Sequence, residues 1–366
     1  MRAAVLQEMS GPLVVERLLD PSPGPNEVLI DVKACGVCHT DLHVMKGEVR
    51  FPTPCVLGHE VAGVVRRSGP GAEHFVAGDR VVGCFIMPCG TCRHCIRGHE
   101  DLCETFFDFN RLRGVLYDGE TRLKRPDGSP IWMYSMGGLA EQCVIPATAV
   151  YRVPQGLSFS HAAILGCSAF TALGAVRNVG RVQVGDTVAV IAVGGVGANL
   201  IQLSAAFGAS RIIAVDVSEE KLELARQMGA TDVVDGRRDD VVETVRRLAN
   251  GRGVDVAFEA LGRAHTVETA IGIVDDGGRV VLVGIAPAGE TAQLEITRTV
   301  RRKVQILGSY GGRPRTDMPL LLDLVAQGRL NLDGLVSAHY SLEQAQQAYT
   351  LLDRGQIVGR AVIDVT

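Results

Sequence analysis

Cys89, Cys92, Cys95 and Cys103 follow one another as C-x2-C-x2-C-x7-C, a spacing from which four thiolates can close a tetrahedral shell around one zinc ion. Cys38, His59 and Cys167 are spread over more than a hundred residues and can supply only three ligands, which leaves a fourth position for water or substrate. The closed set suits a metal that holds a lobe together, and the open set suits one that does chemistry. Ferredoxin-type iron–sulfur clusters also use C-x2-C-x2-C, but their fourth cysteine follows three residues later and precedes proline. Cys103 does neither, so zinc is the better fit.

The rest of the chain has to position these ligands. Its 366 residues predict about two domains, and 46% hydrophobic with 21% charged residues is the composition of a globular chain with a sizeable core. A net charge of -4 and a pI near 6.2 provide no basic field for nucleic acid or an anionic membrane surface. The first twenty residues lack a continuous apolar run before Glu8, Glu16 and Arg17, so they do not read as a secretory signal, and the cysteine spacings fit a reducing compartment, the cytoplasm. Val188 to Ser210 carries no charge, yet Gly194, Gly195, Gly197 and Gly208 divide it into strand, turn and helix rather than a membrane span.

That segment opens an α/β region. Val188 to Val193 reads as a buried parallel strand, Gly195 to Gly208 as a helix, Arg211 to Val215 as a second strand, and Ser218 to Met228 as a helix capped by Ser218. Further strands at Val254 to Ala260, Arg279 to Gly284 and Val304 to Gly308 complete a doubly wound Rossmann sheet. The N-terminal region reads instead as mostly β, with short strands at Val28 to Lys33, Val61 to Val65 and Arg80 to Gly83 between Gly- and Pro-rich turns. After residue 308 come two helices, one opened by the capping box Ser341-x-x-Gln344, and a last strand from Arg360 to Val365.

The glycine turn, Gly194-Gly195-Val196-Gly197, has Ala192 where a G-x-G-x-x-G signature would start. Its context carries the reading: it follows a strand, opens a helix, and is followed nineteen residues after Gly197 by Asp216 at the end of the next strand. A carboxylate there accepts hydrogen bonds from both ribose hydroxyls and repels a 2′-phosphate, which favours NAD over NADP.

Taken in order, Cys38-His39-Thr40-Asp41, Gly58-His59-Glu60-x-x-Gly63, the four-cysteine lobe, Cys167, Gly194-Gly195-Val196-Gly197 and Phe258-Glu259-Ala260-Leu261-Gly262 resemble the zinc-dependent medium-chain alcohol dehydrogenases over essentially the whole chain. The resemblance implies a GroES-like, mostly-β catalytic domain made from residues 1–168 and 309–366, a Rossmann coenzyme domain at 169–308, an active site in the cleft, two zinc ions per chain, NAD, and assembly as a dimer or tetramer. It also implies roles. Thr40 meets the substrate oxygen, His43 passes the proton to solvent, and Glu60 lies close to the metal. His39 and Arg360 contact the pyrophosphate, Lys221 lies near the adenosine ribose, and Thr171, Val196, Val283 and Ile285 border the nicotinamide. Asp41 is a partner for the far imidazole nitrogen of His59, fixing its tautomer.

The chemistry follows from these types. An alcohol is too weak an acid to become a hydride donor unaided, so a Lewis acid must depress its pKa, and a hydroxyl and a histidine suit the removal of the proton. The expected reaction is reversible hydride transfer between a primary alcohol or aldehyde and NAD(H), through an alkoxide held at the zinc. Phe85 matches a pocket-wall position, Leu42, Met133 and Tyr134 are further lining candidates, and the Thr40 methyl disfavours branching at the reacting carbon. Two other readings stand beside it: a dehydrogenase of thiol–formaldehyde adducts, which shares the zinc architecture, and a non-catalytic NAD and zinc redox sensor, against which Thr40 and His43 argue.

Overall fold

A computed structural model describes residues 1–365 of the chain, which divide into two compact units. The first contains residues 1–170, 313–326 and the C-terminal stretch from Val336; the second contains residues 171–312 and 327–335.

The first unit is built on two sheets. One has five strands in the order Leu13–Arg17, Arg2–Leu6, Cys55–Val56, Pro130–Met133, Leu123–Lys124. The other has seven and is organised by its longest strand, Glu27–Val37, which pairs antiparallel with Val61–Ser68, Gln142–Pro146 and Arg360–Asp364. All of that strand except Asp31 and Lys33 is buried, as expected of a strand covered on both faces. Arg360–Asp364 also pairs in parallel with Val336–Ser341, a strand absent from the sequence reading, whose half-buried and exposed positions alternate with no fully buried residue to form an apolar run.

The second unit is a six-stranded parallel sheet in the order Asp232–Asp235, Arg211–Asp216, Thr187–Ile191, Val254–Glu259, Val274–Leu282, Gln305–Gly308. This is the Rossmann order, with the reversal between Thr187–Ile191 and Val254–Glu259. Five of the six strands were legible as apolar runs. Asp232–Asp235 was not, because it has one valine pair between two aspartates. Its core joins Ala189, Ile191, Ile213 and Val215 to Val245, Ala270 and Ile273 from the covering helices.

Three expectations need correction. Ser218 stands at the N-cap of Glu219–Gln227, but its side chain makes no capping bond. Instead its backbone N–H donates to Asp216 Oδ1 at 3.0 Å. Residues 327–335 belong with the second unit rather than with the rest of the C-terminal region, because Leu332 and Leu335 are buried and the Asn331 N–H donates to Gln202 Oε1 at 2.5 Å. The helix expected to run to Gly208 stops at Ala206. The Ser341–Gln344 capping box is present, with both of its bonds made.

Val188 to Ser210 folds as the strand Thr187–Ile191 and the helix Gly195–Ala206. Among the described residues, one helical stretch, Phe159–Val179, is long and apolar enough to cross a bilayer, and 78% of its apolar window is buried inside the fold.

Candidate catalytic and structural metal centres

Cys38 ends an extended strand and occupies the N-cap of the short helix His39–Met45, without spending its side chain on capping. His59 and Glu60 precede the strand Val61–Ser68. Their approach depends on Gly58, which sits at φ +96°, where a Cβ would lie 2.7 Å from the Leu139 nitrogen. Cys167 comes from a π-helical turn, Leu165–Ala169, set between Phe159–Ile164 and Phe170–Gly174. Such turns widen a helix and re-aim its side chains, often at functional sites. One ligand atom from each of Cys38, His59, Glu60 and Cys167 lies within 4.8 Å of the others, and all four residues are buried.

The donor set fits a zinc ion. His59 Nδ1 faces Asp41 Oδ1 at 3.0 Å, while its Nε2 is buried without a hydrogen-bond partner among the described residues. A buried polar atom left bare costs on the order of 1–3 kcal/mol, so its position among two sulfurs is what a metal site requires. A hydrogen bond between the two sulfurs, with Arg360 and His59 close by, holds the Cys38 thiol well below its ordinary range and raises Cys167. Burial disfavours charge on His59, but Asp41 and Cys38 outweigh it and raise the imidazole well above the usual histidine value. The cluster therefore holds protons that a metal cation would displace.

Glu60 is fully buried and lies 3.0 Å from the Arg360 guanidinium. Burial pushes it up to about 7 against the pull of Arg360. Arg360 also donates to the Val37 carbonyl at 3.2 Å, so in this structure its guanidinium serves the metal cluster rather than standing in solvent. His39 is exposed and Thr40 half-buried at the start of the helix that carries Asp41 and His43. His43 is half-buried, with Nδ1 hydrogen-bonded to Glu48, a partner the sequence reading did not single out.

Aromatic rings gather about His59. Phe85 meets it edge-on at 6.0 Å and Tyr134 at 6.4 Å; Phe170 packs on Phe85 and Phe51 on Tyr134. Leu42 is buried on the Asp41 helix. Met133 is also buried, but its sulfur accepts from the Arg122 N–H at 3.4 Å.

The four-cysteine lobe is a second cluster. Sγ atoms of Cys89 and Cys95, and of Cys92 and Cys103, are 4.0 Å apart, near the roughly 3.8 Å separation of thiolates around a tetrahedral zinc. Backbone N–H groups of Thr91 and Cys92 point at Cys89 Sγ, and those of Cys89 and Phe106 point at Cys103 Sγ. Burial opposes ionisation of Cys89, but the Thr105 and Thr91 hydroxyls and these N–H groups outweigh it and bring it down to about 6.

In the second unit, the glycine turn lies at the C-terminal end of Thr187–Ile191. A Cβ on Gly197 would fall 2.0 Å from the Ala192 carbonyl oxygen, so only glycine allows this helix to start so close to the strand. Ala192 is at φ +74°, a left-handed conformation usually left to glycine. Asp216 is buried at the end of the next strand; Oδ2 accepts from the Val193 N–H and Oδ1 from those of Val217 and Ser218. Gly195 and Gly197 are buried, Gly194, Val196 and Lys221 half-buried, Thr171 and Val283 buried, and Ile285 exposed.

A mostly-β unit with one open and one closed set of sulfur and nitrogen ligands, joined to a Rossmann sheet, defines a zinc-dependent dehydrogenase of the medium-chain type. Residues 24–155 match the alcohol dehydrogenase GroES-like domain, and residues 195–327 match the zinc-binding dehydrogenase domain. The chain is 34% identical over 368 residues to an alcohol dehydrogenase of Geobacillus stearothermophilus, covering 100% of both chains. It is 30% identical over 374 residues to an S-(hydroxymethyl)glutathione dehydrogenase of Paracoccus denitrificans, covering 99% of each. Among solved structures, an alcohol dehydrogenase zinc-binding domain protein from Burkholderia ambifaria superposes with a TM-score of 0.94 at 33% identity, over 100% of this chain and 98% of that one. Benzyl alcohol dehydrogenase from Acinetobacter calcoaceticus superposes with 0.93 at 29%, over 100% and 99%. The chain belongs to the zinc-binding medium-chain alcohol dehydrogenase family, and is an oxidoreductase acting on CH–OH donors.

Proposed function

We propose that the chain catalyses reversible hydride transfer between a primary alcohol or its aldehyde and NAD(H). The reading is carried by the meeting of Cys38, His59 and Cys167 around the unpartnered His59 Nε2, on a frame that also carries Thr40 and His43. Zinc held by those three residues supplies Lewis acidity that makes an alcohol hydroxyl a stronger acid. Thr40 accepts the substrate proton on its oxygen as it hands its own proton on, and His43, backed by Glu48, delivers that proton to water. The hydride leaves the same carbon for the nicotinamide ring, giving aldehyde and NADH, and reduction reverses each transfer. Asp41 keeps the proton on His59 Nδ1, so Nε2 stays a ligand. Glu60, paired with Arg360, assists ligand exchange at the metal.

A cofactor on the glycine turn would place its pyrophosphate at the N-terminus of Gly195–Ala206, with His39 and Arg360 as further contacts and Lys221 near the adenosine ribose. Asp216 accepts from the ribose hydroxyls and sets NAD above NADP. Thr171, Val196, Val283 and Ile285 border the nicotinamide. The second zinc is held by the four-cysteine lobe.

The rings of Phe85 and Tyr134 favour an apolar tail on the substrate, and the Thr40 methyl favours an unbranched reacting carbon. A thiol–formaldehyde adduct is the second reading, supported by the likeness to the S-(hydroxymethyl)glutathione dehydrogenase of Paracoccus denitrificans. Initial rates of NADH formation across primary and secondary alcohols and thiol–formaldehyde adducts, with NADP as control, separate the two. Strong rates with simple primary alcohols support the first reading; rates confined to adducts replace it with the second.

Assembly as a homodimer or homotetramer is part of the same proposal. The sheet ends at Gln305–Gly308, and the segment leading to it exposes Leu294, Ile296 and Val300, apolar surface beside a free edge that a second copy would cover. Light scattering on the eluting protein reads the mass directly. Six of the ten cysteines stand in the two ligand sets, a use of thiols that suits the reducing cytoplasm.

A further inference from the structure

Asp41 has two carboxylate oxygens, and the His59 imidazole uses only one. Oδ1 meets His59 Nδ1 at 3.0 Å and accepts from the Gly58 N–H at 3.1 Å. Oδ2 accepts from the phenol of Tyr349 at 2.9 Å, across 308 residues of sequence. Tyr349 lies on the helix Ala345–Asp353, which packs on the Asp41 helix, and an ion pair between Lys46 and Asp353 ties the same two helices at the surface. Both Tyr349 and Asp41 are entirely buried.

We propose that Tyr349 is a positioning residue for the catalytic metal, acting through Asp41 on His59. A carboxylate in a dry site turns about its terminal torsion unless both oxygens are held, and a bare buried oxygen is costly. The Tyr349 hydroxyl holds Oδ2, so Oδ1 stays aimed at Nδ1, the proton stays on Nδ1, and Nε2 keeps its direction toward Cys38 and Cys167. Burial, and then the Asp41 carboxylate, push the phenol well above its usual range, which favours its role as a donor. The effect reaches the metal two hydrogen bonds away and needs no contact with substrate or cofactor.

The inference rests on the reading that Cys38, His59 and Cys167 hold zinc. Metal content of the wild type and of His59→Ala tests that reading by itself: failure to lose one zinc in His59→Ala removes the premise. Tyr349→Phe keeps the ring and deletes only the hydroxyl. Outer partners of a ligating histidine are worth about 10–100-fold in metal affinity, and a group one bond further out is expected to give roughly 3–10-fold. Chelator-driven zinc release from the catalytic site should therefore accelerate by that factor, while release from the four-cysteine lobe, measured in the same run, stays at the wild-type rate. The visible absorption of the cobalt-substituted catalytic site should shift. In an Asp41→Ala background the Tyr349→Phe substitution should add nothing, because its path to His59 is cut. Unchanged release, equal acceleration at both sites, or a full effect without Asp41 would each overturn the proposal. If Tyr349→Phe does not fold, 3-fluorotyrosine at 349 gives the test in nearly the same volume: a shifted cobalt spectrum is expected, and an unshifted one overturns it.

Discussion

The two metal centres use the same kinds of ligand to opposite ends. Cys89, Cys92, Cys95 and Cys103 come from one fifteen-residue stretch, with their own backbone N–H groups turned onto the sulfurs. Cys38, His59 and Cys167 come from a helix N-cap, a glycine-dependent loop and a π-helical turn; His59 is held from outside by Asp41, which Tyr349 holds in turn, and the Glu60–Arg360 pair lies beside them. A local site can be complete with four equivalent thiolates. A site with a position left open needs neighbours to fix its direction, because its geometry is not closed by the ligands themselves.

The largest expected effect tests the open site. His59→Ala should lose one zinc and lower kcat/KM with the best alcohol by roughly 10³-fold or more, the scale of several kcal/mol of Lewis-acid stabilisation. Retained zinc with retained turnover would end the assignment. Cys92→Ser tests the closed one, and there the comparison predicts a stability effect. One zinc should be lost and the thermal midpoint should fall by on the order of 10 °C, while kcat/KM at 25 °C drops less than about tenfold. A collapse of activity without a fall in melting temperature would reverse the roles of the two centres.

A smaller effect concerns charge before metal binding. In zinc-stripped protein Cys89 is held down to about 6, so its alkylation should rise through pH 6 and be slow below it, where the thiol is protonated. A profile rising only near the ordinary thiol range, about 8.5, would mean that the lobe is not arranged for thiolates in advance. The smallest effect lies outside both centres. Ala192 occupies a left-handed conformation, so Ala192→Gly should stabilise the protein by about 1 kcal/mol in chemical denaturation, with both zinc ions retained. A loss of stability would show that the Ala192 methyl packs more favourably than its backbone strains.

Both ligand sets were readable because thiols and imidazole have few other reasons to appear at those spacings, and the Rossmann half because buried parallel strands are continuous apolar runs. The strands Asp232–Asp235 and Val336–Ser341 escaped because their pairing is supplied by neighbours rather than by their own composition. Glu48, the partner of His43, lies five residues on and past the end of the helix His39–Met45, so helix spacing does not give the pair, and Tyr349 lies on a distant helix.

The sequence by itself determined which residues could ligate metal, that one set offers four ligands and the other three, and where a strand, a glycine turn and an acid follow one another in Rossmann order. These are properties of side-chain chemistry and local spacing, which survive in one dimension. Only the tertiary structure decided that the helix Ala345–Asp353 lies against Asp41, that Arg360 faces Glu60, and that His59 Nε2 is left bare among the sulfurs. Those contacts join segments from about twenty to about three hundred residues apart, and their geometry is set by the packing of sheets and helices rather than by any residue's own preference.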